Sequence, residues 1–218
     1  MLFKSLIRII LAMSGRLLRC YLGKIVLTGA FFVLFGAVVQ AAGPALQASG
    51  PVVCPGQGHG SAAVPINLEH IFCGELNRKN RFTGFHARPQ GQNPATIARV
   101  EMASGSENTN GVYEATVYWN MDRDADERPV NPAKFSTMFP DDCSRDQIIA
   151  SILYASRHVL SACPAGAPGW TRCGLNRPDD QAVAPQYCVG KDLTSRFTIA
   201  FALHEGRVNT AFPLAMGR

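Results

Sequence analysis

Six cysteines spread over residues 54–188 constrain the fold of this chain more than any other feature. They are Cys54, Cys73, Cys143, Cys163, Cys173 and Cys188. An even number of cysteines in an exported chain indicates three disulfides, although the sequence does not choose among the possible pairings. A zinc site is the alternative. The chain has no C-x-x-C and no close Cys/His pair of ligand spacing, and this favours disulfides.

The first 42 residues are typical of an export signal. They contain no Asp or Glu, they carry five Lys or Arg residues and a seventh cysteine, and they include an apolar run over residues 25–39. The run ends at the small-x-small sequence Val39-Gln40-Ala41, which is typical of a cleavage site. It is shorter than the ~20 residues that span a bilayer. We therefore expect a signal peptide over residues 1–42 and a secreted or periplasmic protein without stable membrane insertion after cleavage. An uncleaved membrane anchor is the alternative.

The export segment also accounts for the net charge of the chain. The whole sequence has 21 Lys and Arg against 16 Asp and Glu, a formal charge of +5. Because five basic residues lie in the signal, the remainder is formally neutral. Bulk charge therefore does not favour a nucleic-acid partner, and affinity for phosphate would have to come from local clustering.

The rest of the chain divides into a linker and one domain. Residues 43–64 are rich in Gly, Pro, Ala and Ser and predict a linker. Residues 65–218 suit a single domain with a sizeable core. Hydrophobic periodicity predicts an α+β fold. The predicted elements are a helix over 66–76, strands over 82–86, 112–119 and 134–139, a second helix opened by a capping box at Ser144 and Gln147, and a hairpin over 196–212. Residues 90–110 and 163–186 are predicted to be irregular loops.

Two histidines and a lysine, His70, His86 and Lys134, are the candidate catalytic residues. Two imidazoles and a fixed cation form a complete set for cleaving RNA without a metal. One imidazole takes the proton of the 2′-OH, the other protonates the departing 5′-oxygen, and the cation meets the charge on phosphorus. Histidine suits both tasks because its ordinary pKa is about 6.5. From periodicity alone, His70 projects away from the apolar stripe of its helix, and a solvated surface histidine is the plainer interpretation.

Five stretches carry a resemblance to a known family. They are EHIFCGELN (69–77), GFHARP (84–89), GVYEATV (111–117), KFSTMFPDD (134–142) and EGRVNTAFP (205–213). In this order and spacing they resemble the EndoU endoribonucleases, most closely the bacterial EndoU nuclease domain of secreted toxins. The resemblance covers residues 65–218. It implies a barnase–EndoU–RelE-like twisted antiparallel sheet with packed helices and a cleft built from both halves.

The resemblance also implies a reaction. We expect cleavage of single-stranded RNA through the 2′-OH, which leaves a 2′,3′-cyclic phosphate. His86 would act as the base, His70 as the acid, and Lys134 would stabilise the phosphorane, although the sequence does not separate the roles of the histidines. The chemistry needs no metal or other cofactor. Some EndoU enzymes respond to Mn²⁺, so a structural or affinity role for that ion stays open.

Four further residues are candidate substrate contacts. In many EndoU enzymes a tyrosine in the last motif helps to seat uracil; Phe212 occupies that position here, and Thr210 precedes it as a polar contact. Arg88 follows His86 by two residues, on the same side if the strand continues, and Ser136 shares the strand face of Lys134. All four are expected to contact RNA.

The sequence is also compatible with two other functions. The chain could be a non-catalytic exported binding module on an EndoU-like fold, or an unrelated disulfide-stapled envelope protein. A toxin would also need a cognate immunity protein in its producer. Convergence of His70, His86 and Lys134 in one unblocked cleft would favour the enzyme.

Overall fold

A computed structural model of the protein describes Cys54 and residues 65–215. The predicted signal peptide lies outside the described residues, as does the predicted linker apart from Cys54. The described part combines helices with antiparallel strands and so confirms the α+β class. Within residues 65–215, every helix is too short to cross a bilayer.

The elements of residues 65–215 follow one another in a simple order. They are α1 (Leu68–Phe72), β1 (Glu75–Leu76), β2 (Phe82–Thr83), β3 (Ile97–Met102), β4 (Tyr113–Trp119), β5 (Ala133–Met138), α2 (Arg145–Arg157), β6 (Arg172–Leu175), β7 (Thr198–His204) and β8 (Arg207–Pro213). Short 3-10 turns occupy Pro89–Gly91 and Ala184–Gln186.

The strands pair antiparallel, but in three sheets rather than one. β1 pairs with β2, β4 lies between β3 and β5, and β7 lies between β6 and β8. β5 and β8 approach each other without a backbone ladder between them. The single twisted sheet expected from the resemblance is therefore divided here into two three-stranded sheets and a hairpin.

Each three-stranded sheet has its own apolar core. The predicted alternation along β4 is confirmed, because its odd-numbered side chains, Tyr113 to Trp119, are buried beneath the sheet with Phe85 and Met138. The second core packs the two helices against β7 and β8. This core includes Ile71, Ile148, Ile152 and Phe201. The predicted capping box is also confirmed, since Ser144 and Gln147 exchange hydrogen bonds at the start of α2.

Two predicted elements are shorter than expected. The helix predicted over 66–76 ends at Phe72, because Gly74 adopts a φ of 69° and turns the chain into β1. The strand predicted over 82–86 ends at Thr83, because Gly84 and Phe85 both have positive φ. The alternation assumed for His86 and Arg88 therefore does not apply.

Two strands were missed in segments predicted to be loops. β3 is largely exposed, so it has no apolar alternation for periodicity to detect. β6 contains Gly174, which lies against the backbone of Ala155 in α2 with no room for a side chain. Its glycine and its neighbouring prolines are typical of loops, and the packing that explains the glycine is not visible in the sequence.

Three disulfides confirm the predicted number. Cys54 pairs with Cys73 at the end of α1, Cys143 pairs with Cys188, and Cys163 pairs with Cys173. The last pair closes a short loop immediately before β6.

Candidate active site

An open cleft of about 650 Å³ brings the three predicted catalytic residues together. His70 comes from α1, Lys134 from β5, and His86 from the segment that follows β2. β8 contributes a fourth side of the cleft through residues 209–212. The cleft therefore lies where β5 and β8 approach each other.

Backbone hydrogen bonds fix the two histidine segments against each other. The N–H of Phe85 donates to the carbonyl of His70 at 2.6 Å, and the N–H of His86 donates to that of Ile71 at 2.8 Å. Gly84 makes this approach possible, because any Cβ there would collide with the His70 carbonyl, and its φ of 74° disfavours other residues. The ring centres of the two histidines consequently lie 6.0 Å apart.

His86 is a buried side chain whose Nδ1 contacts two uncharged groups. Its Nδ1 lies 3.2 Å from the carbonyl of Thr137 and 2.9 Å from the hydroxyl of Ser136. Since a carbonyl can only accept, Nδ1 carries the proton, and the lone pair of the neutral ring is on Nε2. Burial lowers the pKa of His86 well below its usual range, and the charges of Lys134 and His70 add to the effect. His86 is therefore a neutral imidazole whose Nε2 has no hydrogen-bond partner among the described residues.

His70 has a carboxylate partner instead. Its Nδ1 lies 2.8 Å from Oε1 of Glu75, which is in β1 just beyond the helix. The hydrogen bond from His70 lowers the pKa of Glu75, so this carboxyl group is ionised at neutral pH. Glu75 fixes the orientation of the His70 ring and offers an ion-pair partner to its protonated form.

Lys134 is held at the side of the cleft nearest Gly84. Its Nζ donates to the carbonyl of Gly84 at 2.5 Å and lies 5.6 Å from the centre of the Phe82 ring. Burial lowers the pKa of Lys134 to about 7. The ammonium group is thus poorly solvated, and an anion that enters the cleft can pair with it strongly.

Three of the four predicted substrate contacts line the cleft. Thr210 and Phe212 line it from β8, and the Phe212 ring centre lies 5.2 Å from that of His86. Ser136 also borders the cleft, but its hydroxyl donates to the carbonyl of Phe85 and contacts His86. In this position Ser136 supports the histidine from behind.

Arg88 lies away from the cleft lining. It makes two hydrogen bonds to Asp141, at 3.0 and 2.6 Å, and one to the Tyr113 hydroxyl at 2.9 Å. The strand that would have placed Arg88 beside His86 stops at Thr83. Here Arg88 ties the segment after His86 to the end of β5.

Sequence reasoning missed three residues of the site. Glu75 lies inside the first motif, five positions after His70, and pairs with it only because the helix ends early. Asn209 lines the cleft beside Thr210, and Trp170 lines it from the loop closed by Cys163 and Cys173. Irregular loops carry no periodic signal, so the sequence offered no indication that Trp170 lies at the cleft.

Residues 65–215, with Cys54, contain no group of three or more His, Cys, Asp or Glu side chains placed to hold a metal ion.

An α+β domain that places two histidines and a lysine on one cleft has the kinds of side chain that general acid–base catalysis uses. The model of the bacterial EndoU nuclease family matches residues 66–215, and the chain therefore belongs to that family of nucleases. Comparison with curated proteins and comparison with solved structures each gave no match. Membership of the family excludes an unrelated envelope protein.

Proposed function

We propose that this protein is an exported endoribonuclease that cleaves single-stranded RNA by attack of the 2′-OH on the adjacent phosphorus. The observation that carries the proposal is the contrast between His70 and His86, whose ring centres are 6.0 Å apart on one open cleft. One ring is neutral with a free Nε2, and the other has a carboxylate partner. General acid–base cleavage needs such a pair.

His86 is the base in this mechanism. Its Nδ1–H is held by Thr137, and its Nε2 is free to take the proton of the 2′-OH. A low pKa keeps the ring neutral before substrate binds. The incoming phosphodiester adds a negative charge near the ring, which raises the proton affinity of His86 as the reaction proceeds.

His70 is the acid. The carboxylate of Glu75 pairs with the protonated ring at Nδ1 and so keeps Nε2 on the side away from Glu75. In the mechanism, Nε2 delivers the proton to the departing 5′-oxygen. The products are a 2′,3′-cyclic phosphate and a 5′-OH. When the cyclic product leaves, each histidine has exchanged its proton and the pair resets through water.

Lys134 stabilises the charge on the phosphorane. Its ammonium group has lost much of its hydration, and the negative charge it meets is greatest in the transition state. An entering phosphate also shifts Lys134 toward its protonated form. No step of this mechanism uses a metal or another cofactor, and a Mn²⁺ effect on affinity would leave it unchanged.

Thr210 and Phe212 are the proposed seat of the base that precedes the cleaved bond. Phe212 presents an aromatic face beside His86, and Thr210 supplies a hydroxyl on the same strand face. Stacking on an aromatic ring is tolerant of base identity. In this proposal, discrimination between bases therefore depends on the hydroxyl of Thr210.

Export is supported by the three disulfides, which form and persist in oxidising compartments. We include in the proposal a secreted or periplasmic location and a role as a toxin. An exported RNase of this kind requires a cognate immunity protein in the cell that makes it. Co-expression with the neighbouring gene tests this part: rescue of a poisoned host supports an immunity partner, and no rescue argues against it.

A matched set of oligonucleotides tests the reaction itself. The protein should cleave an RNA, leave DNA of the same sequence intact, and fail on an RNA that carries a single 2′-deoxyribose at the cleavage position. A non-catalytic binding module would bind all three without cutting any. Cleavage of the DNA would contradict attack by the 2′-OH.

A further inference from the structure

Trp170 is an exposed aromatic side chain on the wall of the catalytic cleft. It is 64% exposed, and its ring centre lies 6.0 Å from that of Phe212. The only other tryptophan of the chain, Trp119, is a buried residue at the end of β4. Single apolar side chains are often exposed on protein surfaces, so exposure alone does not indicate a role for Trp170. The position of its loop does.

The loop is fixed to the same sheet face as Phe212. Cys173, Ala200 and Phe212 occupy one row across β6, β7 and β8. Residues in one row of an antiparallel sheet project on the same face. The disulfide from Cys173 to Cys163 therefore draws the loop over the face that carries Phe212, and Trp170 reaches the Phe212 ring.

The loop is closed in three ways, which makes Trp170 a preorganised ring. Besides the disulfide, the N–H of Leu160 donates to the carbonyl of Cys173 at 2.8 Å. Within the loop, Thr171 donates to the carbonyl of Pro168 through both its N–H and its hydroxyl, at 3.0 and 2.8 Å. A ring held before binding loses little conformational freedom on contact with a ligand.

The chemistry of the loop favours a nucleobase as the occupant. Residues 163–173 contain no carboxylate, so a polyanion meets no repulsion from the loop. Ala165, Gly166 and Pro168 border the cleft beside Trp170 and leave its face accessible. A base cannot slip between Trp170 and Phe212, because a sandwich needs parallel rings about 7 Å apart, and these two are tilted by 56° at 6.0 Å. A base would therefore stack on the exposed ring of Trp170 alone.

The rings also have an order. His70 contacts His86, His86 contacts Phe212, and Phe212 contacts Trp170. In the proposed mechanism the leaving 5′-oxygen lies on the His70 side. Phe212 and then Trp170 extend the site in the opposite direction, toward the nucleotide upstream of the cleaved one.

We propose that Trp170, on the loop closed by Cys163 and Cys173, is a stacking platform for the base immediately 5′ of the cleaved nucleotide. This inference rests on the proposed ribonuclease function. It adds a second nucleotide subsite to the cleft and makes the enzyme prefer cleavage positions that have an upstream neighbour.

Trinucleotides with one abasic position test the platform through a double-mutant cycle. For the wild type, removal of the 5′ base should lower kcat/KM by about five- to 150-fold, as expected for loss of one stacked base. In Trp170→Ala the same removal should have almost no further effect. Removal of the 3′ base should act equally on both proteins. Trp170→Phe should keep much of the preference, and Leu193→Ala, which removes an exposed apolar side chain outside the cleft lining, should behave as wild type.

Three outcomes would overturn the platform. The first is an unchanged dependence on the 5′ base in Trp170→Ala, and the second is coupling of Trp170 to the 3′ base instead. The third concerns the loop: Cys163→Ala with Cys173→Ala should reduce the 5′-base preference while RNA cleavage persists, and full retention of that preference would show that the loop closure is irrelevant.

Fluorescence separates a failure of the platform from a failure of the proposed reaction. A pentanucleotide with 2′-deoxyribose at the cleavage position should quench tryptophan emission of the wild type but not of Trp170→Phe, because Trp119 is buried. Quenching without RNA cleavage would support the subsite and contradict the ribonuclease. Cleavage without quenching or a 5′-base effect would support the ribonuclease and contradict the subsite.

Discussion

The ring centres of His70 and His86 lie 6.0 Å apart, and the groups behind the two rings are different. Behind His70 is the carboxylate of Glu75 at 2.8 Å, whereas behind His86 is the carbonyl of Thr137 at 3.2 Å. In the proposed mechanism, this difference assigns opposite directions of proton transfer to two chemically identical side chains.

Replacement of either histidine should abolish most RNA cleavage without loss of the fold. We expect His70→Ala and His86→Ala each to lower kcat by roughly 10²–10⁴-fold, the usual contribution of a positioned acid or base. His204→Ala is a matched control, because this histidine is exposed at the end of β7. Activity within a few-fold of wild type in either cleft variant would remove that histidine from the mechanism.

An activated leaving group should separate the acid from the base. With uridine 3′-(4-nitrophenyl phosphate) the departing oxygen needs no proton, so His70→Ala and Glu75→Gln should lose much less rate than they lose on RNA. His86→Ala should lose rate on both substrates, because the 2′-OH must still be deprotonated. Equal losses of rate for His70→Ala on the two substrates would contradict the assignment of His70 as the acid.

Lys134 should control the alkaline limb of the pH profile. Since burial lowers the pKa of Lys134 to about 7, kcat/KM of the wild type should fall above that pH as the ammonium group loses its proton. Lys134→Met should be slower at neutral pH, mainly in kcat, and its kcat/KM should fall less steeply above pH 7 than that of the wild type. A weakened affinity with an unchanged kcat would make Lys134 a phosphate anchor only.

Stability measurements on Lys134→Met check whether a lowered pKa of Lys134 causes the fall in activity above pH 7. The folded-state pKa of Lys134, about 7, is below the value of about 10.4 expected in an unfolded chain. Between these values the unfolded state binds more protons, so the wild type should gain stability with rising pH relative to Lys134→Met, and the difference should be constant below pH 7. Urea unfolding of both proteins from pH 6 to pH 10 measures it; a flat difference over this range would contradict the lowered pKa.

Phe212 should make base preference less sharp than a tyrosine would. Its ring supplies stacking, worth about 1–3 kcal/mol for any base, but it has no hydroxyl to bond one. Phe212→Tyr should sharpen the preference for uridine, and Phe212→Ala should weaken binding of RNA whatever its sequence. Mapping of cleavage positions on a mixed-sequence RNA decides this. Strict cleavage after uridine by the wild type would show that specificity does not depend on that hydroxyl.

Several parts of the structure were predictable because their signals are local. The alternation of β4, the capping box at Ser144 and the hairpin at Glu205 each depend on neighbours in sequence. The convergence of His70, His86 and Lys134 was inferred from motifs of a family, since no local pattern joins residues so far apart.

The remaining parts depend on tertiary contacts. β6 was missed because the reason for Gly174 is the backbone of α2, and β3 was missed because it is mostly exposed. Arg88 was expected beside His86, but the strand ends at Thr83 and Asp141 holds the guanidinium group. Such contacts could not be derived from spacing.

The most direct test of the account is an RNA digest in the presence of a chelator, followed by analysis of the product ends. The proposed mechanism predicts cleavage at an undiminished rate when RNA is saturating, a 2′,3′-cyclic phosphate on the upstream fragment and a 5′-OH on the downstream fragment. Products with a 5′-phosphate, or cleavage that stops without divalent ions even at saturating RNA and with the fold intact, would contradict catalysis by His70, His86 and Lys134.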